Sequence, residues 1–188
     1  MASLAEILRS LFGAYRLARF DPAGLGFFDN TVGGFWRSFT AAFMIAPFLL
    51  LLLLTRYASA SDDVFLFRYL SLEVISYAIS WVAFPLIMDG VSRSLDREKK
   101  FLPFMVAYNW SMIPQNMAYI IVVLLGFAGI FSEGTTNALI MIVLIWSFAY
   151  TGFIAQIALD VRPMTAGGIV VLDFLLSLCI EISINSQI

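Results

Sequence analysis

Long apolar segments separated by short polar breaks dominate the 188-residue chain. The apolar segments are about 20 residues or longer, which is enough for a helix to cross roughly 30 Å of hydrocarbon. They predict five transmembrane helices, at about residues 38–57, 67–89, 104–131, 138–159 and 165–184. The sequence therefore predicts an all-α, polytopic membrane protein.

The polar breaks predict how these spans are connected. Asp62 and Asp63 predict a short loop after the first span, and the charged stretch 92–103 predicts a hairpin between the second and third spans. The stretches 132–137 and 160–163 predict two further turns. Pro47, inside the first span, is expected to kink it.

The first 20 residues show apolar positions at helical spacing, with arginines mostly off the apolar stripe. Ser3 followed by Glu6 is typical of a capping box at a helix start. The pattern predicts a short amphipathic helix, which lies either on the membrane surface or against the protein's own spans. The chain is thus divided into a cytoplasmic amphipathic segment with its loop, residues 1–27, and a membrane domain, residues 28–188.

The composition explains why the bilayer must be the solvent for much of the chain. Hydrophobic residues make up 61% and charged residues 13%, with a mean hydropathy of +0.92. Soluble domains are nearer half apolar and a quarter charged. Histidine is absent and Cys179 is the single cysteine, which excludes catalysis by Ser–His–Asp or Cys–His groups and His-ligated metals. We therefore expect no enzymatic activity, no metal and no cofactor.

The distribution of lysine and arginine predicts the orientation. Nine lie on the side of the N-terminus, namely Arg9, Arg16, Arg19, Arg37, Arg93, Arg97, Lys99, Lys100 and Arg162, and Arg56 and Arg68 lie on the other side. Cytoplasmic loops carry the excess of basic residues. With five spans, this predicts a cytoplasmic N-terminus and an external C-terminus.

Several polar side chains fall inside the predicted spans. They are Glu73, Gln115, Asn116, Gln156, Asp173 and Glu181. Asp173 and Glu181 are eight residues apart and so lie on nearly the same helical face, which would suit a proton or cation pathway. The alternative is that Asp173 binds Tyr108, Asn109, Gln115 or Gln156 and holds the helices together.

The start of the third span is also polar. Pro114 leaves the carbonyl one turn earlier without its helical donor, and neighbouring polar groups can satisfy it. This predicts a kinked helix entrance, which fits a ligand cleft and a packed kink equally well.

Basic residues of the hairpin form a second candidate site. Arg93, Arg97 and Lys100 have the spacing of one helical face, and Lys99 lies beside them. Such a stripe suits anionic lipid headgroups or an acidic protein partner. It could also serve only to fix the topology.

Two short motifs resemble those of Yip1-domain membrane proteins. The segment 30–36, which includes Gly33, Phe35 and Trp36, resembles the family's Asp-Leu-Tyr-Gly-Pro-Phe-Trp before the first span. The segment 107–114, with Tyr108, Asn109 and Pro114, resembles its Gly-Tyr-Ser…Pro signature in the third span. The chain departs from the pattern at Asn30, Val32, Gly34 and Asn109, and it lacks the cytoplasmic region of the eukaryotic members.

The resemblance implies a five-span fold and a role in membrane organisation through protein or lipid interaction. The expected partners are membrane lipids and a protein at the cytoplasmic face, with no nucleic acid, and homo-oligomers are compatible with the sequence. The compact chain is typical of a bacterial inner-membrane protein. The alternative function is a small transporter or channel subunit that uses its intramembrane carboxylates.

Overall fold

The computed structural model describes residues 2–59 and 65–185, which fold into helices with no strand among them. The helices are α1 (Leu4–Ala18), α2 (Val32–Ser38), α3 (Thr40–Ser59), α4 (Leu66–Ser94), α5 (Phe101–Phe127), α6 (Glu133–Leu159) and α7 (Pro163–Asn185). Two short 3₁₀ helices, Pro22–Phe27 and Glu98–Lys100, precede α2 and α5. The all-α prediction is confirmed.

Five helical segments of the described residues are long and apolar enough to cross a membrane, as predicted. They are Val32–Ala58, Leu66–Ser94, Glu98–Phe127, Glu133–Leu159 and Pro163–Ile184. The predicted loop at Asp62 and Asp63 and the last three residues of the tail lie outside the described residues. The cytoplasmic position of the N-terminus stays a prediction from the basic residues.

The predicted span boundaries on both sides of the 132–137 turn are wrong because of local backbone chemistry. Helix α5 ends at Phe127, four residues early, where Gly129 takes a φ of +72° and turns the chain. Helix α6 begins at Glu133, five residues early, because the Ser132 hydroxyl accepts the amide N–H of Thr135 at 3.2 Å. The predicted turn at 132–137 is therefore mostly helix.

The predicted helical stripe of hairpin basic residues is wrong. Helix α4 ends at Ser94, and Asp96 takes a left-handed backbone with φ of 57° before the 3₁₀ turn begins. Arg93 is therefore on α4, whereas Arg97 and Lys100 follow the break. A continuous helix does not carry the three residues on one face.

Helix α5 lies at the centre of the bundle and packs against α1, α2, α3 and α6, while α4 packs mainly against α7. Its first half is buried without interruption from Phe104 to Ser111. The main core joins this half to the second halves of α4 and α6, at residues such as Phe84, Met88, Ile154 and Leu159. The best-packed part of the protein is thus the end that carries the charged hairpin.

Helix α1 docks on this part of the bundle through its small residues. Its buried face consists of Ser10, Gly13, Ala14 and Leu17. The Tyr150 hydroxyl of α6 donates to the carbonyl of Ala14 at 2.7 Å, and the Trp146 indole donates to the carbonyl of Ala18 at 3.2 Å. The buried face of α1 therefore packs on the protein's own spans, which is one of the two positions predicted for this helix.

The opposite side of α1 carries four large side chains that are at least half exposed. Leu4 is 72% exposed and Leu8 60%, and Phe12 and Tyr15 are also exposed. These four residues recur at spacings of three and four, so they form one row along the helix. We call them the outer row of α1.

Candidate functional site

A polar cavity of about 170 Å³ lies between α4, α5 and α7. Its polar lining consists of Tyr77, Ser80, Tyr108, Asn109, Asn116, Asp173 and Ser177. Sequence analysis singled out four of these residues, and the structure brings them together. This cavity is the candidate functional site.

Asp173 is the charged group of the cavity. The Tyr108 hydroxyl donates to its Oδ1 at 2.8 Å, which links α5 to α7. Tyr108 is buried and stacks on Phe84 of α4, with ring centroids 4.4 Å apart. Of the four partners that the sequence offered for Asp173, the structure shows Tyr108, and this contact joins three helices.

The two asparagines of the cavity are held by different neighbours. The Asn109 amide donates to the Ser38 hydroxyl at 2.8 Å, and both residues are buried. This bond ties α5 to the end of α2. The Asn116 amide donates to the carbonyl of Met112 on its own helix at 2.8 Å.

Prolines lie on both helices that face each other across the cavity. Pro85 lines it from α4, and Pro114 lies within α5 close by in sequence. A proline has no amide hydrogen, so the carbonyls of Trp81 and Trp110 lack their normal helical donors. Of these two residues, Trp81 lines the cavity, so its carbonyl is a polar atom close to the cavity wall.

The remaining intramembrane polar residues do not line this cavity. Gln115 faces α6, where its Oε1 accepts the Thr151 hydroxyl at 3.4 Å. Gln156 is exposed, and Glu181 is exposed near the end of α7. Glu73 is half-buried on α4, within electrostatic range of Arg56 and Glu181. The structure therefore separates Glu181 from Asp173, which were considered together as one pathway.

Helix α4 contributes a wall of the cavity that the sequence did not predict. Tyr77 and Trp81 are four residues apart and so lie on one face of α4, with Ser80 beside them. The Tyr77 hydroxyl donates to the carbonyl of Ala42 on α3 at 2.8 Å. A polar and aromatic face within an otherwise apolar span is the signal that could have identified these residues.

An ion-pair cluster that the sequence did not predict lies beside the first Yip1-like motif, residues 30–36. Arg37 on α2 binds both carboxylate oxygens of Glu6 on α1, at 2.8 and 2.9 Å, and also binds Asp29. Phe35 packs against the core, whereas Gly33 and Trp36 are exposed. The predicted capping box is therefore half formed, because Ser3 caps α1 while Glu6 pairs with Arg37.

Acidification is expected to loosen this ion-pair cluster. Hydrogen bonds from Thr31 and the positive charge of Arg37 hold the pKa of Asp29 below its ordinary value of 3.8. Such a depressed carboxyl stabilises the fold at a pH above 3.8, and this contribution is lost as the pH falls through the folded-state pKa. Tryptophan-monitored thermal unfolding between pH 7 and 3 should therefore show a steeper loss in the wild type than in Asp29→Asn.

Other carboxyl groups titrate in the same range, so only the difference between the two proteins is informative. The pKa of Asp21 is also lowered, chiefly by its hydrogen bond from Arg16. Parallel profiles for the wild type and Asp29→Asn would contradict the role of Asp29.

The basic residues of the hairpin have different surroundings. Arg93 pairs with Asp89 at 2.7 Å, and Arg97 donates to the carbonyl of Asp160 at 3.2 Å. Lys99 and Lys100 are exposed, and in the described part of the chain no hydrogen bond or ion pair engages their ammonium groups. Arg97 thus joins the hairpin to the α6–α7 turn, whereas the two lysines are available to partners.

Comparisons with family models, curated proteins and solved structures give no match to this chain. The resemblance to Yip1-domain proteins therefore depends on the two motifs and their positions before the first span and in the third. The second motif contributes Tyr108 and Asn109 to the cavity, and the first contributes Phe35 to the core. The fold and the contacts of this chain carry the functional argument.

Proposed function

We propose that this is a non-enzymatic, Yip1-like protein of the bacterial inner membrane that acts through lipid interaction in membrane organisation. The outer row of α1 supports the proposal. Most large apolar residues that a soluble protein exposes are isolated, whereas here four follow one another along a helix whose other face is docked. A row of this kind suits insertion between lipid headgroups and acyl chains.

The lengths of the spans support a position of α1 at the membrane boundary. Helices α5 and α6 each have 27 residues, which corresponds to about 40 Å at 1.5 Å per residue. The hydrocarbon layer is roughly 30 Å thick, so part of each helix extends beyond it. Helix α1 covers α6 near Tyr150, in the half next to the charged hairpin. The last turns of that half, toward Leu159, are the part that would leave the hydrocarbon.

Charge at the same end of the protein adds to the attraction for anionic lipids. Lys99 and Lys100 are exposed on the short turn before α5, and each basic residue near an anionic leaflet contributes about 1 kcal/mol. Asp96 and Glu98 lie beside them, and their negative charges reduce the net attraction of the hairpin for anionic lipids. The apolar row is therefore the main element of the proposal.

Lipid contact of the outer row can be measured in proteoliposomes. Cysteine replaces Leu8 in a Cys179→Ser background and carries an environment-sensitive fluorophore. Lipids brominated near the headgroup are expected to quench this fluorophore strongly, because Leu8 faces away from the protein. A matched label at Asn30, which is exposed and belongs to a polar loop, should be quenched much less.

The function itself is tested with Leu4→Ser combined with Leu8→Ser. These substitutions leave the buried face of α1 intact, so the fold is retained while the apolar row is lost. Under the proposal, the wild type changes vesicle shape and lipid sorting after reconstitution, and we expect this variant to lose that effect. No quenching at position 8, or equal effects of the variant and the wild type on vesicles, would overturn the proposal.

A further inference from the structure

Most of the hydroxyl groups that line the cavity between α4, α5 and α7 already donate their hydrogens to protein oxygens. Three hydroxyl hydrogens of the lining are already used: Tyr77 donates to Ala42, Ser80 to Ser76 and Tyr108 to Asp173. A hydroxyl has a single hydrogen to donate, so these groups can offer a ligand only their oxygens.

The amides and the carboxylate of the cavity extend this pattern. Asn109 and Asn116 each direct an N–H to a protein oxygen. Among the described hydrogen bonds, none uses the Oδ1 of either asparagine or the Oδ2 of Asp173. In addition to the hydroxyl oxygens, these three oxygen acceptors, one of them charged, are therefore left for a ligand. No lysine or arginine lines the cavity within the described residues. A ligand with positive charge fits this arrangement, and an anion does not.

The size and the aromatic content of the cavity narrow the class of cation. A cavity of about 150 Å³ holds one benzene-sized molecule, so 170 Å³ exceeds what a single desolvated metal ion needs. Tyr77, Trp81, Phe84 and Tyr108 line it together with Asp173. Aromatic rings attract organic ammonium groups through their π faces, and this attraction grows where water is excluded.

We propose that the cavity binds a small organic ammonium group, with Asp173 as its counter-ion and the α4 aromatic residues as its wall. The ammonium group belongs either to a free amine of choline size or to the headgroup of a membrane lipid. This inference is independent of the outer row of α1, because the cavity lies between other helices. Failure of the proposed lipid function of α1 would leave it standing.

Choline binding by the purified full-length protein in detergent tests the proposal. Choline is expected to raise the unfolding temperature, whereas its uncharged tert-butyl analogue, in which carbon replaces nitrogen, should have little effect. Asp173→Asn keeps the shape of the side chain and its acceptor for Tyr108 but removes the charge. We expect it to weaken choline binding at least about tenfold. Glu181→Gln removes a carboxylate of the same helix outside the cavity and should bind like the wild type.

A second variant covers the case in which Asp173→Asn does not fold. Ser177 is an exposed lining residue one turn from Asp173, so Ser177→Leu should fill the cavity without disturbing the core. It is expected to abolish the effect of choline and to leave the unfolding temperature without ligand nearly unchanged.

Lipid nanodiscs distinguish the two sources of the ammonium group. Phosphatidylglycerol has no ammonium group, so in discs of this lipid choline should stabilise the wild type whether the site is for free amines or for lipid headgroups. In phosphatidylcholine discs, a lipid-headgroup site is already occupied, so added choline should give no further increase, whereas a site for free amines should still respond. Equal stabilisation by choline and its uncharged analogue, or equal choline binding by the wild type and Asp173→Asn, would overturn the proposal.

Discussion

Gly34→Ala is expected to destabilise the protein by roughly 1–3 kcal/mol, the usual cost of forcing extra atoms into a filled site. A Cβ atom at Gly34 would overlap the carbonyl oxygen of Asp29, so the backbone itself would have to move. That backbone is held by the Asp29 carboxylate, which binds both Thr31 and Arg37. Unfolding in mixed detergent and denaturant micelles would measure the loss.

Gly33→Ala provides the matched control one residue away. Its Cβ would meet Nη1 of Arg37 at 3.0 Å, the guanidinium nitrogen outside the described bonds to Glu6 and Asp29, and a shift of a few tenths of an ångström relieves this contact. Alanine also favours a helix over glycine by about 1 kcal/mol. Gly33→Ala should therefore be neutral or slightly stabilising. Equal stabilities of the two variants would show that the close approach at Gly34 is not required.

Trp110→Ala is expected to cost about 3–5 kcal/mol, because it leaves a large cavity in the centre of the bundle. Trp110 is 1% exposed and lies in the buried half of α5, next to Asn109. Its loss should also disturb the walls of the polar cavity, since α5 carries Tyr108 and Asn109. The measurement is again the free energy of unfolding in detergent.

Trp36→Ala is the control for Trp110→Ala, since Trp36 is 67% exposed. Both tryptophans belong to the Yip1-like motifs, but only one is in the core. We expect the exposed residue to change the unfolding free energy little. A cost as large as that of Trp110→Ala would indicate that the Trp36 side chain has a structural partner in the membrane.

The five spans could be predicted because hydrocarbon imposes a length and a composition that the sequence shows directly. Helix α2 could not be predicted in this way. It has seven residues with two adjacent glycines, which are poor helix formers, and Thr31 caps it through a bond to Gly34. The hairpin stripe was wrong because helical spacing was assumed to continue through Asp96, whose backbone turns there.

The members of the candidate site were easier to predict than their arrangement. Asp173, Tyr108 and Asn109 stand out because polar groups in a membrane span are costly. Their spacing along the chain does not determine which helices pack together, so Tyr108 could not be chosen as the partner of Asp173. The polar face of α4 was overlooked because Tyr77 and Trp81 also suit a lipid-facing helix.

The docking of α1 has a consequence for how the chain is made. The carbonyls of Ala14 and Ala18 are bound by side chains that lie 136 and 128 residues later in the sequence. At roughly 5–20 residues per second, those side chains leave the ribosome several seconds or more after α1 does. Helix α1 can therefore make these two hydrogen bonds, and complete its docking, only after the fourth span has been synthesised and inserted. During this interval its outer row can hold the nascent chain at the bilayer, so that the first segment to be translated is among the last to reach its place.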